Sequence, residues 1–189
     1  MWPVMFPPGP IAIVRGFIYA LLIATAIRPA GDPKAHPQTI RAVWQALWVH
    51  WGLAILGGSL GPFIDSYIDF LLFAVLAVII TLLYPVVSYS VVERLGEKDR
   101  YPAFIIAMVW INNLRQGLVL GMVYIPFLPK EIFVSQYVLA PIAAWMLWAL
   151  WRAATLSLGR GGRVGLSMLG LLLVVEVLFT VLLFEIGLR

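Results

Sequence analysis

The chain has 189 residues, 62% of them hydrophobic and only 12% charged, with a mean hydropathy of +0.98. Soluble domains carry about 25% charged residues, so much of this surface must face something other than water. The net charge of +4 includes no basic run interleaved with aromatics, which argues against nucleic acid, and the absence of cysteine excludes disulfides, thiolate metal sites and cysteine nucleophiles.

At about 20 residues per crossing, the expected fold is an all-α polytopic transmembrane helix bundle, with 1–189 forming a single integral membrane domain. The first basic residue is Arg15 and no small-residue cleavage pattern follows it, so no cleaved signal peptide is expected. The first element, 10–27, is apolar except for Arg15 and Thr25. Its apolar residues surround the helix, which favours insertion, whereas Arg15 and the short length favour the interface. Residues 28–38 then form a Pro/Gly-rich loop, with Thr39 placed to cap the next helix.

Five segments read as spans: 41–60, 66–92, 101–125, 132–152 and 164–187. The connections are short, with turns at 57–62 and 126–131, a charged cluster at 93–100 and a glycine-rich basic loop at 158–163. Of the 13 basic residues, Arg28, Lys34, Arg41, Arg94, Lys98, Arg100, Arg152, Arg160 and Arg163 fall on alternate connections, and only Lys130 and Arg189 fall opposite. The positive-inside rule therefore puts those basic loops in the cytoplasm and the C-terminus outside, as expected for a protein of the bacterial inner membrane. Trp44, Trp48 and Trp51, like Trp145, Trp148 and Trp151, recur at helical spacing toward that same side. Such sets read as an aromatic belt with helix packing, or as a wall for a pigment, quinone or lipid.

Polar groups at membrane depth are costly, so their positions carry information. Asn112, Asn113, Arg115 and Gln116 lie near the middle of the 101–125 segment, with Asn112, Arg115 and Gln116 on one face. Arg115 is fourteen residues from Tyr101, and Glu176 is twelve from Val164. At 1.5 Å per residue the two charges lie within about 3 Å of one depth. An Arg115–Glu176 ion pair is therefore expected, supported by the amides of Asn112 and Gln116. Its role is either to fix helix packing or to bind a proton or cation at Glu176.

Asp65, Asp69 and Glu185 gather toward the outer face, either as solvated helix ends or as oxygen ligands for a shared cation. His50, among the tryptophans, has no second metal ligand beside it in sequence and reads as a satisfied or interfacial side chain. Pro85 and Pro141 free the carbonyls of Thr81 and Tyr137, and Gly117 with Gly121 permits close helix approach. The glycines of 158–163 lack the Lys–Ser pair of a phosphate loop, which leaves Arg160 and Arg163 as contacts for lipid head groups.

Three stretches resemble small bacterial membrane proteins of the Yip1-domain type. They are Arg-Pro-Ala-Gly-Asp-Pro (28–33) ahead of a Trp-rich span, Asp-Arg-Tyr-Pro-Ala-Phe (99–104) leading into Trp110-Ile111-Asn112-Asn113, and Trp151-Arg152-Ala153-Ala154 before the glycine-rich loop. The resemblance implies a five-span bundle with a cytoplasmic N-terminal segment, no enzymatic activity, and function through partners in the membrane. The apolar 10–27 stretch and the lack of a polar cytoplasmic arm depart from that pattern.

Two functional expectations follow. The first is a non-enzymatic scaffold or accessory subunit without a cofactor, whose partners are the bilayer, other membrane-protein subunits or further copies of itself. The second is a small secondary transporter or channel using the Arg115, Glu176, Asn112 and Asn113 cluster. Metal-ligand spacings and nucleophile elbows are absent from the sequence, which places an enzyme last.

Overall fold

Each helix begins and ends on local chemistry. Gly9 precedes Pro10, whose missing N–H costs nothing in a first turn. Thr39 Oγ accepts the Ala42 N–H at 3.2 Å and so caps the second helix. The computed structural model describes residues 7–27, 37–59, 67–124 and 136–185, and among them every regular element is helical. The helices are α1 (Pro10–Ala24), α2 (Ile40–Ser59), α3 (Tyr67–Arg94), α4 (Tyr101–Tyr124), α5 (Gln136–Leu158) and α6 (Gly162–Glu185), with a 3₁₀ turn at Lys98–Arg100 leading into α4.

Two boundaries differ from the sequence reading. The glycines expected to open a turn at 57 instead continue α2 to Ser59, and Gly57 leaves room for Leu120 of α4 at 3.4 Å. The span expected to end at Arg152 runs on to Leu158. Arg152 does not mark the helix end because it is used sideways. Its Nη1 donates to the Ile23 carbonyl at 3.1 Å, and Trp145 Nε1 donates to the Ala24 carbonyl at 2.9 Å. Both satisfy acceptors that the C-terminal end of α1 leaves over, and the cation suits the negative end of the helix dipole.

Helix α4 is the hub. From Phe104 to Asn113 every residue is buried, the signature of a helix surrounded by protein on all sides. Around it the other helices close a ring in the order α1, α2, α3, α6, α5 and back to α1. Against α4 the packing is close from α1, α2 and α5 and slight from α3. The α1 contact is close because Gly16 lies under the fully buried Trp110 indole, and Phe17 meets the same ring edge-on at 5.7 Å. Gly117 in turn accommodates Phe17 at 3.4 Å. Helices α5 and α6 approach at Gly165, where a Cβ would sit 2.9 Å from the Trp151 carbonyl.

The outer faces are apolar. Ile11, Val14 and Ile18 on α1, Val75, Ile79 and Val86 on α3, and Leu166, Val174 and Val177 on α6 are all exposed. So extensive an aliphatic surface is incompatible with water and suits acyl chains. Three stretches, Tyr67–Arg94, Lys98–Met122 and Gly162–Leu182, are long and apolar enough to cross a membrane. Helices α2 and α5 have 20 and 23 residues but are rich in tryptophan, an interfacial residue that hydropathy ranks as mildly polar. Helix α1 has only 15 residues, about 22 Å at 1.5 Å each. One of its faces (Gly16, Tyr19, Ala20, Ile23 and Ala24) is buried in the bundle, and the other is exposed.

At the basic end, Glu97 joins the two corner loops. It pairs with Arg160 Nε at 2.7 Å and with Arg100 Nε at 3.4 Å. Arg160 Nη2 also donates to the Leu95 carbonyl at 2.8 Å, and Arg100 Nη1 to the Leu158 carbonyl at 2.9 Å. Arg160, offered by the sequence to lipid head groups, is thus engaged within the protein, whereas Arg163 is exposed.

The Gly16–Trp110 approach has a direct consequence. Gly16→Ala should destabilise the protein by about 1–3 kcal/mol, because a methyl group overpacks a ring with no space to move, while Gly170→Ala, with nothing within 4 Å, should be neutral or better. Thermal unfolding in mild detergent measures both.

Candidate functional site

Where α4 stands away from α3 and α6, a cavity of about 310 Å³ lies among α2, α3, α4 and α6. Asn112, Arg115 and Gln116, spaced by three and four residues on α4, all line it. Opposite them are His50 of α2, Thr81 and Tyr84 of α3, and Glu176 and Thr180 of α6. This is a concentration of polar side chains inside an otherwise apolar bundle.

The Arg115 guanidinium grips the Glu176 carboxylate with two donors: Nη1 reaches Oε2 at 3.2 Å, and Nη2 reaches Oε1. Such fork-to-fork geometry is the strongest form of this ion pair. Its charges cancel locally, as a low-dielectric setting requires. Thr180 Oγ turns back onto the Glu176 carbonyl at 3.0 Å, and Tyr84 Oη donates to the Met168 carbonyl at 3.3 Å.

Asn113 points elsewhere. Its Nδ2 donates to the Ala46 carbonyl at 3.0 Å, and its Oδ1 lies 2.9 Å from His50 Nδ1. With the amide oriented by Ala46, Oδ1 must accept, so Nδ1 carries the proton. A neutral His50 then presents Nε2 as a lone-pair acceptor on a side chain that lines the cavity. The depth arithmetic applied to Arg115 and Glu176 also finds this contact. His50 is ten residues from Ile40 and Asn113 twelve from Tyr101, a difference of about 3 Å.

The two remaining amides depart from expectation. Asn112 and Gln116 were to support the ion pair, yet Asn112 Oδ1 and Gln116 Oε1 are buried without a hydrogen-bond partner. The Arg115 donors shown bonded are turned to Glu176, and none reaches these oxygens. A buried unsatisfied polar group costs about 1–3 kcal/mol, and here two of them belong to side chains that line one cavity.

The outer acidic group is not assembled among the described residues. Asp65 lies outside them, Asp69 is in the first turn of α3, and Glu185 is exposed at the end of α6. No group of three or more His, Asp or Glu side chains among the described residues is placed to hold a metal ion. Neither a family profile, nor a curated protein, nor a solved structure matches this chain. The Yip1-type likeness therefore stays with the three stretches that carry it, and function has to be argued from the cavity.

The ion pair makes its own prediction. Glu176→Ala leaves the Arg115 charge without its partner and should cost about 1–3 kcal/mol, less than for a fully buried pair because the two side chains are 30% and 33% exposed. The joint Arg115→Leu and Glu176→Leu change, which removes both charges, should unfold closer to wild type. Equal loss in the single and double variants, measured by thermal unfolding in detergent, would remove the basis for treating the two as a pair.

Proposed function

We propose that this protein is a small membrane carrier whose ligand enters the cavity among α2, α3, α4 and α6. One observation carries the reading: Asn112 Oδ1 and Gln116 Oε1 are buried acceptors with no protein donor, beside a cavity that already contains a neutralised ion pair. A purely structural cluster would close on itself, as Asn113 does with His50 and Ala46. Groups left unmet at this depth are met by something that comes and goes. Pro85, which also lines the cavity, supports the reading, since proline within a helix leaves backbone acceptors available to a ligand.

In this proposal α2 to α6 are the five spans and α1 packs into the ring as a short sixth helix. The basic corners at Arg94–Arg100 and Arg152–Arg163 face the cytoplasm of a bacterial inner membrane. No catalytic chemistry is assigned. The rival reading, an accessory subunit of a larger membrane complex, draws on the wide apolar exterior, and lipid alone accounts for that surface.

The absence of native cysteine makes a test independent of ligand identity. Val175→Cys and Thr81→Cys introduce single thiols at buried cavity positions. In vesicles, a membrane-impermeant methanethiosulfonate reagent should modify both, more slowly than Lys98→Cys at the exposed corner, and from each face of the membrane in turn. A cavity sealed from both sides, with Lys98→Cys reacting normally, would leave the accessory-subunit reading in its place.

A further inference from the structure

A second hollow borders the first. Between α2 and α3 lies a groove of about 230 Å³ lined by Trp44, Leu47, Trp48, Trp51, Val78, Thr81 and Leu82. Leu47 and Thr81 line both the groove and the polar cavity, so the two adjoin at those side chains. The chemistry changes sharply across that boundary. On one side are His50, Asn112, Gln116 and the Arg115–Glu176 pair; on the other are three indoles and aliphatic residues. Trp48 and Trp51 stand 5.0 Å apart, and buried Trp51 Nε1 has no hydrogen-bond partner.

We infer that the cavity and groove together receive one uncharged, single-tailed amphiphile with a hydroxyl head, a class that includes quinols and monoacylglycerols. This rests on the carrier reading and names its ligand class. The head follows from the unmet acceptors. Asn112 Oδ1 and Gln116 Oε1 call for hydrogen-bond donors, and His50 Nε2 offers a third acceptor nearby. The lack of charge follows from the ion pair, which is already balanced, so a net charge on the ligand would be desolvated without a counter-ion. The tail follows from the groove, an apolar hollow of about 230 Å³ lined by α2 and α3. Thr81 sits at the junction. Pro85, four residues on, has no N–H to donate to the Thr81 carbonyl.

The experiment uses the purified full chain in phosphatidylcholine vesicles with a monoacylglycerol carrying a diazirine in its acyl chain. Photolabelling should saturate and should map to peptides containing 44–51 and 78–82. Unlabelled monoacylglycerol or a short-tailed quinol should compete, and whichever does so at lower concentration identifies the source of the ligand. Lysophosphatidylcholine of equal chain length should compete about tenfold less well, because its zwitterionic head group would bury two further charges that the balanced Arg115–Glu176 pair does not neutralise. The Asn112→Leu, Gln116→Leu double variant should reduce labelling about tenfold, the effect of losing roughly 1.4 kcal/mol of head-group hydrogen bonding. Its melting temperature should equal or exceed that of wild type, since two unsatisfied buried amides are replaced by apolar groups. Misfolding thus cannot account for the loss. Labelling spread evenly over the lipid-facing helices would overturn the inference. So would equal competition by the lysolipid, or full labelling of the double variant. If labelling fails while Val175→Cys still reacts with the aqueous reagent, the ligand class is wrong and the carrier reading stands.

Discussion

A guanidinium and a carboxylate on the apolar helices of this bundle are costly unless they neutralise each other, and the cavity side of the bundle is arranged around that pair. Arg115 is on α4 and Glu176 on α6, two helices joined here through the ends of long side chains rather than through close backbone contact. The pair holds the helices at a distance, and the cavity occupies the space between them.

The remaining contacts of α4 show how the cost of that opening is offset. On its other faces the helix is packed tightly, with Trp110 over Gly16, Phe17 against Gly117, and Asn113 fastened to α2 through the Ala46 carbonyl and His50. Arg152 and Trp145 secure the carbonyl end of α1, and Glu97 draws the two basic corners together. One side of the hub is closely packed, the other open and polar. That asymmetry lets a bundle of this size keep a ligand-sized space without collapsing into it.

Depth is legible in a membrane sequence because rise per residue is fixed, and this is why Arg115 and Glu176 could be matched from their distances to helix ends. His50 and Asn113 yield to the same arithmetic. Rotation and neighbour order are much less legible. Nothing in the spacing of Asn112 and Gln116 reveals that Arg115 would turn to Glu176 and leave both amide oxygens without a partner. Nor does the tryptophan spacing on α2 say that α3 is the facing helix, which is what turns a row of indoles into a groove. Helix ends misled the reading where charge or glycine had a tertiary use. Arg152 is a sideways cap on α1, and Gly57 is a clearance for Leu120 inside α2. The 10–27 segment is ambiguous for a related reason: its sequence does not say which face a partner covers, and here Trp110 packs on Gly16.

The case for function turns on what stability alone would have chosen. Positions 112 and 116 face a space bounded largely by aliphatic and aromatic groups, among them Leu47, Met108, Leu172 and Phe179. Leucine at both would fill part of that space and remove two unsatisfied acceptors, each costing about 1–3 kcal/mol. Asn113, one residue along, proves that an amide on this helix can be fully satisfied when the fold arranges it. The fold satisfies the amide that faces α2 and leaves unmet the two that face the cavity. That selectivity is the pattern expected where local rules yield to a binding role. It also accounts for the ion pair's position: closed on itself at the cavity wall, Arg115–Glu176 gives the site polarity without net charge, a condition that suits neutral cargo better than an ion.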